Sequence, residues 1–479
     1  MSLIIAILFP AIAGIIVSVF RPREKVRNTC YTVIVLLADV LCILALRSGE
    51  HITFLTLSEN LHMAFAPDRL GTVFLAAVMI LYTAVCFYSF EYMKMEERVE
   101  MFFTFYFLSF TALIAVCLAS NLLTLYFCFE MLTLLSMPMV LHELTKDAVS
   151  AGLKYLFYSI AGALMGLLAV FFVYYFTSGN AEFVKGGFLD PAKIAGRENL
   201  MLIGTMIGIS GFGTKAGLYP MHGWLPTAHP IAPAPASSLL SGIIAKAGVI
   251  AVIRLVYYSV GTDLIRGTWV QYAWMTLAML TIFMGSMMAY REHNLKKRLA
   301  YSTVSQISYI LLSLSFLSEE GMQGALLHVL SHASSKGCLF LCAGVLIYKL
   351  GKRRVEELKG VGKLMPVTML CFTVASLSLV GIPPMGGFLS KWVIAQASLH
   401  NGLGLYAVLP PVILLISALL TAGYLLTVVV DAFFPGGGFE TEEKAGSAEP
   451  SPLMTVPMIC LCLVALAVGI FGGNVHLGG

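Results

Sequence analysis

GFGTKAGLYPMHGWLP at residues 211–226 and GIPPMGGFLSK at residues 381–391 each interrupt a long apolar run. Proline cannot continue a hydrogen-bonded helix, and adjacent glycines loosen one further. Carbonyl groups freed at membrane depth are tolerated only where protein or a wet cavity satisfies them. Each interruption also carries a lysine, Lys215 in the first and Lys391 in the second. Packing alone explains a single kink, but two kinks with a lysine each predict structurally repeated halves around an ion site.

The composition is that of a membrane protein. Of the 479 residues, 58% are hydrophobic and 12% are charged, whereas a soluble domain carries about 25% charged residues. The sequence therefore predicts an all-α polytopic membrane protein. The opening run, MSLIIAILFPAIAGIIVSVF, lacks a basic start and a small-residue cleavage site, so we interpret it as the first transmembrane helix and not as a signal peptide. The net charge of +4 gives no indication of a nucleic-acid partner.

Fourteen apolar runs, separated by polar loops, are candidate transmembrane helices. Each has about the 20 residues that crossing a bilayer requires. The fourth and fifth runs nearly touch at Ser120, where the count is least certain. The approximate cores are 2–20, 29–46, 69–90, 101–119, 121–140, 151–176, 200–217, 235–257, 268–290, 299–317, 322–348, 366–397, 405–434 and 452–472.

The charged loops predict the orientation. We number the loops from the N-terminus and call the side of the odd-numbered loops the odd-loop face. Loops rich in Lys and Arg stay in the cytoplasm. Most of the Lys and Arg residues outside the apolar runs lie in the odd-numbered loops, so the odd-loop face is predicted to be cytoplasmic, with both termini on the outer side of a prokaryotic cell membrane. These loops are 21–27, 91–100, 142–154, 291–298, 348–363 and 435–450.

Four lysines, Lys215, Lys246, Lys336 and Lys391, and the carboxylate of Glu130 lie inside long apolar runs. A charged side chain at the centre of a bilayer costs roughly 2.5–3.5 kcal/mol on insertion scales. Such groups usually face the interior of a bundle or a water-filled path, so they predict an ion or proton pathway. The alternative is that they are paired structural ions that lock helices together.

A lysine with a movable carboxylate partner is a candidate switch. Burial favours the neutral amine, whereas a nearby carboxylate favours the ammonium form, so pairing would hold a proton and separation would release it. Glu130 lies near the middle of the fifth run and needs a cation, and Lys215 is its predicted partner. Lys246 lies in the middle of the eighth run. Arg254 follows two turns later, and we interpret it as reaching towards a membrane face.

The eleventh run reads GALLHVLSHASSKGCLFL, in which His328, His332 and Lys336 recur every fourth residue and so share one helix face. Histidine can pass protons through either ring nitrogen, and we interpret this stripe as a relay. Structural histidines are the alternative. A haem held by two histidines is a second alternative, but no other apolar run offers a facing ligand. Lys391 is interpreted as the terminal group towards one membrane face, or as an interfacial anchor.

His222 and His229 flank Trp224 in the proline-rich segment 220–235. We interpret them as access residues at a proton entrance, and a structural role in the loop is the alternative. No catalytic residue, cofactor site or metal site is predicted. The ten cysteines lie mostly in apolar runs without a C-x-x-C pair, so they are interpreted as small core residues.

The chain resembles the antiporter-like proton-translocating membrane subunits shared by respiratory complex I, Mrp-type multisubunit cation/proton antiporters and membrane-bound hydrogenases. The resemblance covers nearly the whole chain. Thr227 follows WLP, and residues 239–242 read LLSG. In these two places the chain looks closer to the Mrp D-type and hydrogenase-type subunits. The motifs that carry the resemblance run from Lys215 through WLP to AHPIAPAPASSLLSGIIAKAG (228–248), then LAYSTVSQISYILL (299–312), HVLSHASSKG (328–337) and GIPPMGGFLSKW (381–392).

The resemblance implies about fourteen helices with two inverted five-helix repeats that contain broken helices. We expect an N-terminal three-helix segment at 1–100, repeats at 101–258 and 259–434, and a C-terminal loop and last helix at 435–479. It also implies a Glu130–Lys215 pair, a central Lys246, a connecting relay of His328, His332 and Lys336, and a terminal Lys391. Charge would move along this axis in the membrane plane.

The sequence favours a proton-translocating subunit, with sodium as an alternative ion, of a larger membrane complex. Its expected partners are other antiporter-like and small membrane subunits, the lipid bilayer, and soluble redox subunits with iron–sulfur or nickel–iron centres. The chain would be a non-redox subunit of an ion-pumping oxidoreductase or of an Mrp antiporter, and its status as an enzyme is left open. The competing hypotheses are a self-sufficient cation/proton antiporter and a membrane scaffold with no transport of its own.

Overall fold

The computed structural model describes residues 2–58, 61–178, 182–436 and 448–475. The predicted odd-numbered loop at 435–450 and the end of the C-terminal segment, 476–479, therefore lie partly or wholly outside the described residues. The described chain is mostly helical. Its first six helices are α1 (Ser2–Phe20), α2 (Glu24–Ser48), α3 (Arg69–Tyr92), α4 (Val99–Leu118), α5 (Leu122–Val140) and α6 (Lys146–Phe176).

The next part of the chain is broken into short helices, as the first quoted stretch predicts. A 3-10 turn at Ile244–Lys246 joins two of them, and a π-helical turn at Arg254–Val260 follows. The helices are α7 (Pro191–Ile194), α8 (Glu198–Ala216), α9 (Leu225–Ile231), α10 (Ala234–Gly242), α11 (Ala247–Ile253) and α12 (Thr262–Ile265).

The last part of the chain contains the second break, between Val380 and Gly386. Its helices are α13 (Trp269–Arg291), α14 (Leu295–Leu314), α15 (Glu319–Leu350), α16 (Val361–Leu364), α17 (Pro366–Val380), α18 (Gly386–Leu399), α19 (Leu405–Phe433) and α20 (Pro452–Phe471). Single 3-10 turns lie at Met93–Met95, Val355–Leu358 and Gly472–Asn474.

Eleven helical segments in the described ranges are long and apolar enough to cross a membrane. The chain is therefore a multi-pass membrane protein. The runs predicted at 200–217, 299–317 and 366–397 contain helices but fall short of this standard. The second of them, α14, starts with the charged LKKR, and the third is split into two short helices by the break. The count of fourteen spans remains a prediction.

A β-hairpin departs from the all-helical expectation. Strands β1 (Ile52–Ser58) and β2 (Leu61–Phe65) pair in antiparallel fashion between α2 and α3. The backbone of Ala64 in β2 donates to Thr124 Oγ1 at 2.9 Å, which ties the hairpin to the first turn of α5. The segment was too short and too polar to be recognised as a strand pair among apolar runs, although ITFLTLS is rich in strand-forming residues.

The segment Ala234–Val260 and helix α15 occupy the centre of the bundle. In the most apolar stretch of Ala234–Val260, every residue is buried by other parts of the protein. In the most apolar stretch of α15, 89% of the residues are buried. By contrast, the outer helices α1, α2 and α20 bury only about a third of theirs. Polar groups on the two central segments are therefore screened from lipid by other helices.

Arg254 has a partner that the sequence did not reveal. Its side chain is buried, and its guanidinium binds the Asp68 carboxylate at the start of α3 through two hydrogen bonds of 2.6 and 2.8 Å. Its position near a membrane face stays a prediction. The guanidinium also lies over the rings of Phe183 and Tyr258, at 4.7 and 4.9 Å. The ion pair joins the π-helical turn to the N-cap of α3. Sequence spacing could not reveal it, because Asp68 lies 186 residues away.

Candidate functional site of buried lysines and histidines

Lys215 is the last but one residue of α8, and Glu130 lies on the neighbouring α5. The structure brings their charges within electrostatic range but does not form the direct ion pair that the sequence predicts. The Lys215 ammonium instead donates to Thr133 Oγ1 at 2.5 Å and lies over the ring of Phe129 at 4.8 Å. Glu130 is half-buried, and its Oε1 accepts no hydrogen bond from the described residues.

Lys246 is fully buried on the 3-10 turn between α10 and α11. Its ammonium donates to the carbonyl of Ser241 at 3.2 Å and to the carbonyl of Gly242 at the end of α10. The break in this helix was missed from the sequence, although Gly242 was a signal for it. A cation at the C-terminal end of a helix satisfies free carbonyls and complements the helix dipole, so the break and the lysine stabilise each other.

Lys391 repeats this arrangement at the second break. Its ammonium donates to the carbonyls of Leu379 and Val380, at 2.5 and 3.1 Å, where α17 ends. It also lies 5.0 Å from the centre of the Tyr309 ring. Both broken helices thus present carbonyls at their C-terminal ends to a lysine from the segment that follows. The break at Lys391 is the second interruption predicted from the sequence, whereas the first predicted interruption, at 211–226, separates α8 from α9 and not α10 from α11.

His328, His332 and Lys336 share one face of α15 and are all buried. His328 Nδ1 lies 2.9 Å from Ser390 Oγ, on α18 next to Lys391, and the two imidazole rings are 5.9 Å apart. The Lys336 ammonium donates to the Leu299 carbonyl at 2.9 Å. Neither ring nitrogen of His332 has a hydrogen-bond partner among the described residues. Buried polar atoms of this kind are usually satisfied by water.

Lys246 connects these groups electrostatically. Its charge acts on His328, His332 and Lys336, and the charge of Lys391 acts on both histidines. The structure thus brings five of the predicted pathway residues into one cluster, which we call the central network: Lys246, His328, His332, Lys336 and Lys391. Glu130 and Lys215 stand beside it, since Lys215 packs against α11, where a Cβ on Gly248 would lie 3.2 Å from the Lys215 Cβ.

The two predicted access residues differ in environment. His222 is partly exposed and stacks on Tyr219, with ring centres 5.8 Å apart. His229 is fully buried, stacks on Phe340 at 4.8 Å, and has no hydrogen-bond partner for either ring nitrogen among the described residues. Only His229 is therefore placed beside α15, the helix that carries much of the central network.

Two polar residues near the central network, Tyr309 and Lys296, were not singled out from the sequence. Tyr309 packs against His328, with ring centres 5.4 Å apart, and donates to Ser417 Oγ at 2.5 Å. Lys296 belongs to the charged run REHNLKKR but is buried, with 5% exposure. A charged run gives no local sign that one of its members points inwards, whereas the tyrosine lay in the quoted LAYSTVSQISYILL and could have been singled out.

Three cysteine thiols lie close together between α15 and α20. Cys338 Sγ lies 3.5 Å from Cys462 Sγ and 3.9 Å from Cys342 Sγ, between α15 and α20. Across the described ranges, no group of three or more His, Cys, Asp or Glu residues is arranged to hold a metal ion. These thiols pack as small apolar groups with weak hydrogen bonds.

Gly387 allows α18 to cross α17 closely enough for Lys391 to reach the freed carbonyls. A Cβ at this position would overlap the carbonyl oxygen of Ser378. Gly387→Ala is therefore expected to lower the free energy of unfolding by about 3 kcal/mol, because the overlap is with rigid backbone. The check is the thermal transition in detergent. Gly473→Ala is the control, since its Cβ would meet Leu389 at an ordinary 3.9 Å; equal transitions for the two variants would contradict the expectation.

Two family models match this chain. The family model described as "NADH:quinone oxidoreductase/Mrp antiporter, TM" matches residues 119–421, which is more than half of the chain. A second model, "NADH-Ubiquinone oxidoreductase (complex I), chain 5 N-terminus", matches residues 54–103. The chain is 32% identical to NADH-quinone oxidoreductase subunit N of Desulforudis audaxviator, over 78% of this chain and 75% of that protein.

Other relatives belong to different complexes. Hydrogenase-4 component B of Escherichia coli is 31% identical over 68% of this chain, which spans 50% of that longer protein. The Mrp complex from Dietzia has a chain with a TM-score of 0.84 and 19% identity, covering 99% of this chain and 95% of that one. A chain of the archaeal membrane-bound sulfane sulfur reductase has a TM-score of 0.82 and 21% identity, covering 98% and 95%. With its lysine-bearing broken helices, the protein belongs to the family of NADH:quinone oxidoreductase and Mrp antiporter membrane subunits.

Proposed function

We propose that the protein is a proton-translocating, antiporter-like subunit of a multisubunit membrane complex. One observation carries the proposal: Lys246 and Lys391 each bind the free carbonyls of a broken helix inside the bundle, and their charges act on the same pair of histidines on α15. Amines held by neutral carbonyls, without a carboxylate in contact, can lose a proton more easily than ion-paired ones. Protons are the favoured ion, and sodium transport is the alternative.

The proposed route uses the residues singled out from the sequence. A proton binds at Lys246, passes along α15 from Lys336 through His332 to His328, which lies beside Ser390, and is released by way of Lys391. Glu130 and Lys215 gate the cycle: pairing holds the Lys215 proton, and separation favours its release. The hydrogen bond from Lys215 to Thr133 corresponds to the separated form. Water would bridge the unpartnered ring nitrogens of His332.

The proposed topology follows the family resemblance. Fourteen spans would form two inverted five-helix repeats, at 101–258 and 259–434, between an N-terminal segment at 1–100 and a C-terminal one at 435–479. The odd-loop face would be cytoplasmic in a prokaryotic inner membrane, with both termini outside. In support, the ammonium groups of Lys246 and Lys391 each donate to carbonyls at the C-terminal end of the half-helix that precedes them, α10 and α17.

The partners are proposed from the names of the relatives, which are subunits of a quinone oxidoreductase, a hydrogenase and an Mrp complex. Other membrane subunits would lie beside this chain, and soluble subunits with iron–sulfur or nickel–iron centres would drive it if the parent complex is a redox enzyme. Identification of the subunits that co-purify with the chain decides between a redox complex and a purely membranous antiporter.

Glu130→Gln tests the proposed gate. The amide keeps the shape of the side chain but removes its charge, so we expect coupled proton pumping to fall about tenfold, within the usual range of coupling energies. Dye-reported acidification of inverted membrane vesicles that contain the intact complex measures it. Glu319→Gln is the control, because Glu319 is exposed and pairs only with exposed Lys185 at 3.1 Å.

Unchanged pumping in both variants, with normal assembly, would favour a scaffold without transport of its own. A self-sufficient antiporter predicts something different: the chain purified alone and placed in liposomes exchanges sodium for protons. The proposed function predicts no exchange by the isolated chain, and restoration of transport when the partner subunits are present.

A further inference from the structure

Lys296 is a buried lysine with access to two environments. It lies in the first turn of α14, its exposure is 5%, and its ammonium donates to the carbonyl of Ala232, just beyond the end of α9. The next residue, Lys297, points the other way: it is exposed and pairs with Glu292 at 2.8 Å. Two adjacent lysines of one charged run thus face the bundle interior and the solvent.

On its inner side, Lys296 adjoins the central network. His229 lies three residues before Ala232, and its ring is subject to the charges of both Lys296 and Lys336. Lys336 donates to the carbonyl of Leu299, which is one turn along α14 from Lys296. His229 is thus near both lysines: it precedes Ala232 by three residues and stacks on Phe340, one turn after Lys336 on α15. Both of its ring nitrogens are buried and unpartnered among the described residues.

On its outer side, Lys296 meets acidic residues of two odd-numbered loops. The carboxylates of Glu96 and Glu143 and the guanidinium of Arg353 act on its charge. Glu96 is half-buried in the loop between α3 and α4, and His142 Nε2 lies 3.9 Å from its Oε2. Burial and the nearby Glu143 carboxylate raise the pKa of the Glu96 carboxyl, so it exchanges protons closer to neutral pH than an exposed glutamate. Glu143 is exposed on the odd-loop face.

We propose that Lys296 is a proton-relay residue between Glu96 at the odd-loop face and His229 and Lys336 inside the bundle. The central network then opens to the odd-loop face through Glu143, Glu96, Lys296 and His229, in that order. This inference rests on the proposed function and adds to it a connection from the odd-loop face to Lys336. The competing role is structural, in which the Lys296 ammonium only anchors the Ala232 carbonyl.

Lys296→Arg separates the two roles. Arginine keeps the positive charge and the donors that an anchor needs, but it does not give up its proton in proteins. A relay therefore fails in both Lys296→Arg and Lys296→Met, and we expect each to lower proton uptake by the intact complex about 100-fold. Lys297→Met is the matched control and should pump normally. Recovery of pumping by Lys296→Arg, with loss in Lys296→Met, would overturn the relay and leave an anchor.

Two further measurements keep the result decisive. If the Lys296 variants do not assemble, Glu96→Gln replaces them, because it changes a loop residue outside the spans; uptake should fall about tenfold and lose its dependence on pH near neutrality. Unchanged uptake and pH dependence would refute the relay. Lys246→Met is measured in parallel. If Lys246→Met pumps normally, the proposed function itself fails. If Lys246→Met loses pumping while Lys296→Met pumps normally, only this inference is refuted.

Discussion

Lys246→Met is expected to abolish coupled proton translocation, with a fall of about 100-fold or more. The charge of Lys246 acts on His328, His332 and Lys336 together, so its loss removes a lysine that influences all three. Methionine has nearly the same length and remains compatible with a buried site, which limits any loss of packing. Acidification of vesicles containing the assembled complex, normalised to the amount of complex, provides the measurement.

The control for this variant removes a lysine without touching the central network. Lys185→Met alters an exposed residue that pairs with exposed Glu319, and pumping should be unchanged. If Lys246→Met pumped at the rate of Lys185→Met, Lys246 would be excluded from the route. A variant that lost both pumping and assembly would instead show that the carbonyl contacts at Ser241 and Gly242 hold the broken helix together.

Arg254→Met is expected to produce the largest loss of stability, roughly 3–5 kcal/mol, because it leaves the Asp68 carboxylate without its buried cation. The guanidinium makes two hydrogen bonds to Asp68 and stacks on two aromatic rings. Its loss frees the π-helical turn from α3. The thermal transition of the purified protein in detergent, followed by tryptophan fluorescence, should fall by many degrees.

An exposed ion pair supplies the comparison for Arg254. Lys185 and Glu319 are 3.1 Å apart, and their side chains are 58% and 83% exposed. Breaking such a pair usually changes stability by about 0–1 kcal/mol. Lys185→Met should therefore melt close to the unaltered protein. Equal transitions for Arg254→Met and Lys185→Met would show that Arg254 and Asp68 contribute no more than a surface pair.

Local patterns in the chain predicted the features that depend on nearby residues. Prolines and glycines at 211–226 and 381–391 predicted the two breaks, because they act on the helix in which they lie. The four-residue spacing of His328, His332 and Lys336 predicted a shared face on α15, since helical geometry is fixed by spacing. Long apolar runs predicted a membrane protein, because the hydrocarbon core selects for them directly.

Other features arise from contacts between segments that are distant in the chain. The hydrogen bond of Lys215 to Thr133, in place of an ion pair with Glu130, depends on how α8 packs on α5. The π-helical turn meets Asp68 only after the bundle has formed, which is why the sequence did not reveal the partner of Arg254. The β-hairpin between α2 and α3 was also missed, because its strands are too short and too polar to be recognised among the apolar runs.

By itself, the sequence determined that this is a membrane bundle with two lysine-bearing breaks and a stripe of histidines, because hydropathy, proline chemistry and helical spacing are properties of the chain read in order. Only the tertiary structure decided which atoms those lysines bind and which member of a charged run turns inwards, as Lys296 does and Lys297 does not. The physical reason is that a buried ammonium is stabilised by whichever carbonyls and carboxylates the packed helices place around it, and those groups come from segments that the chain order keeps far apart.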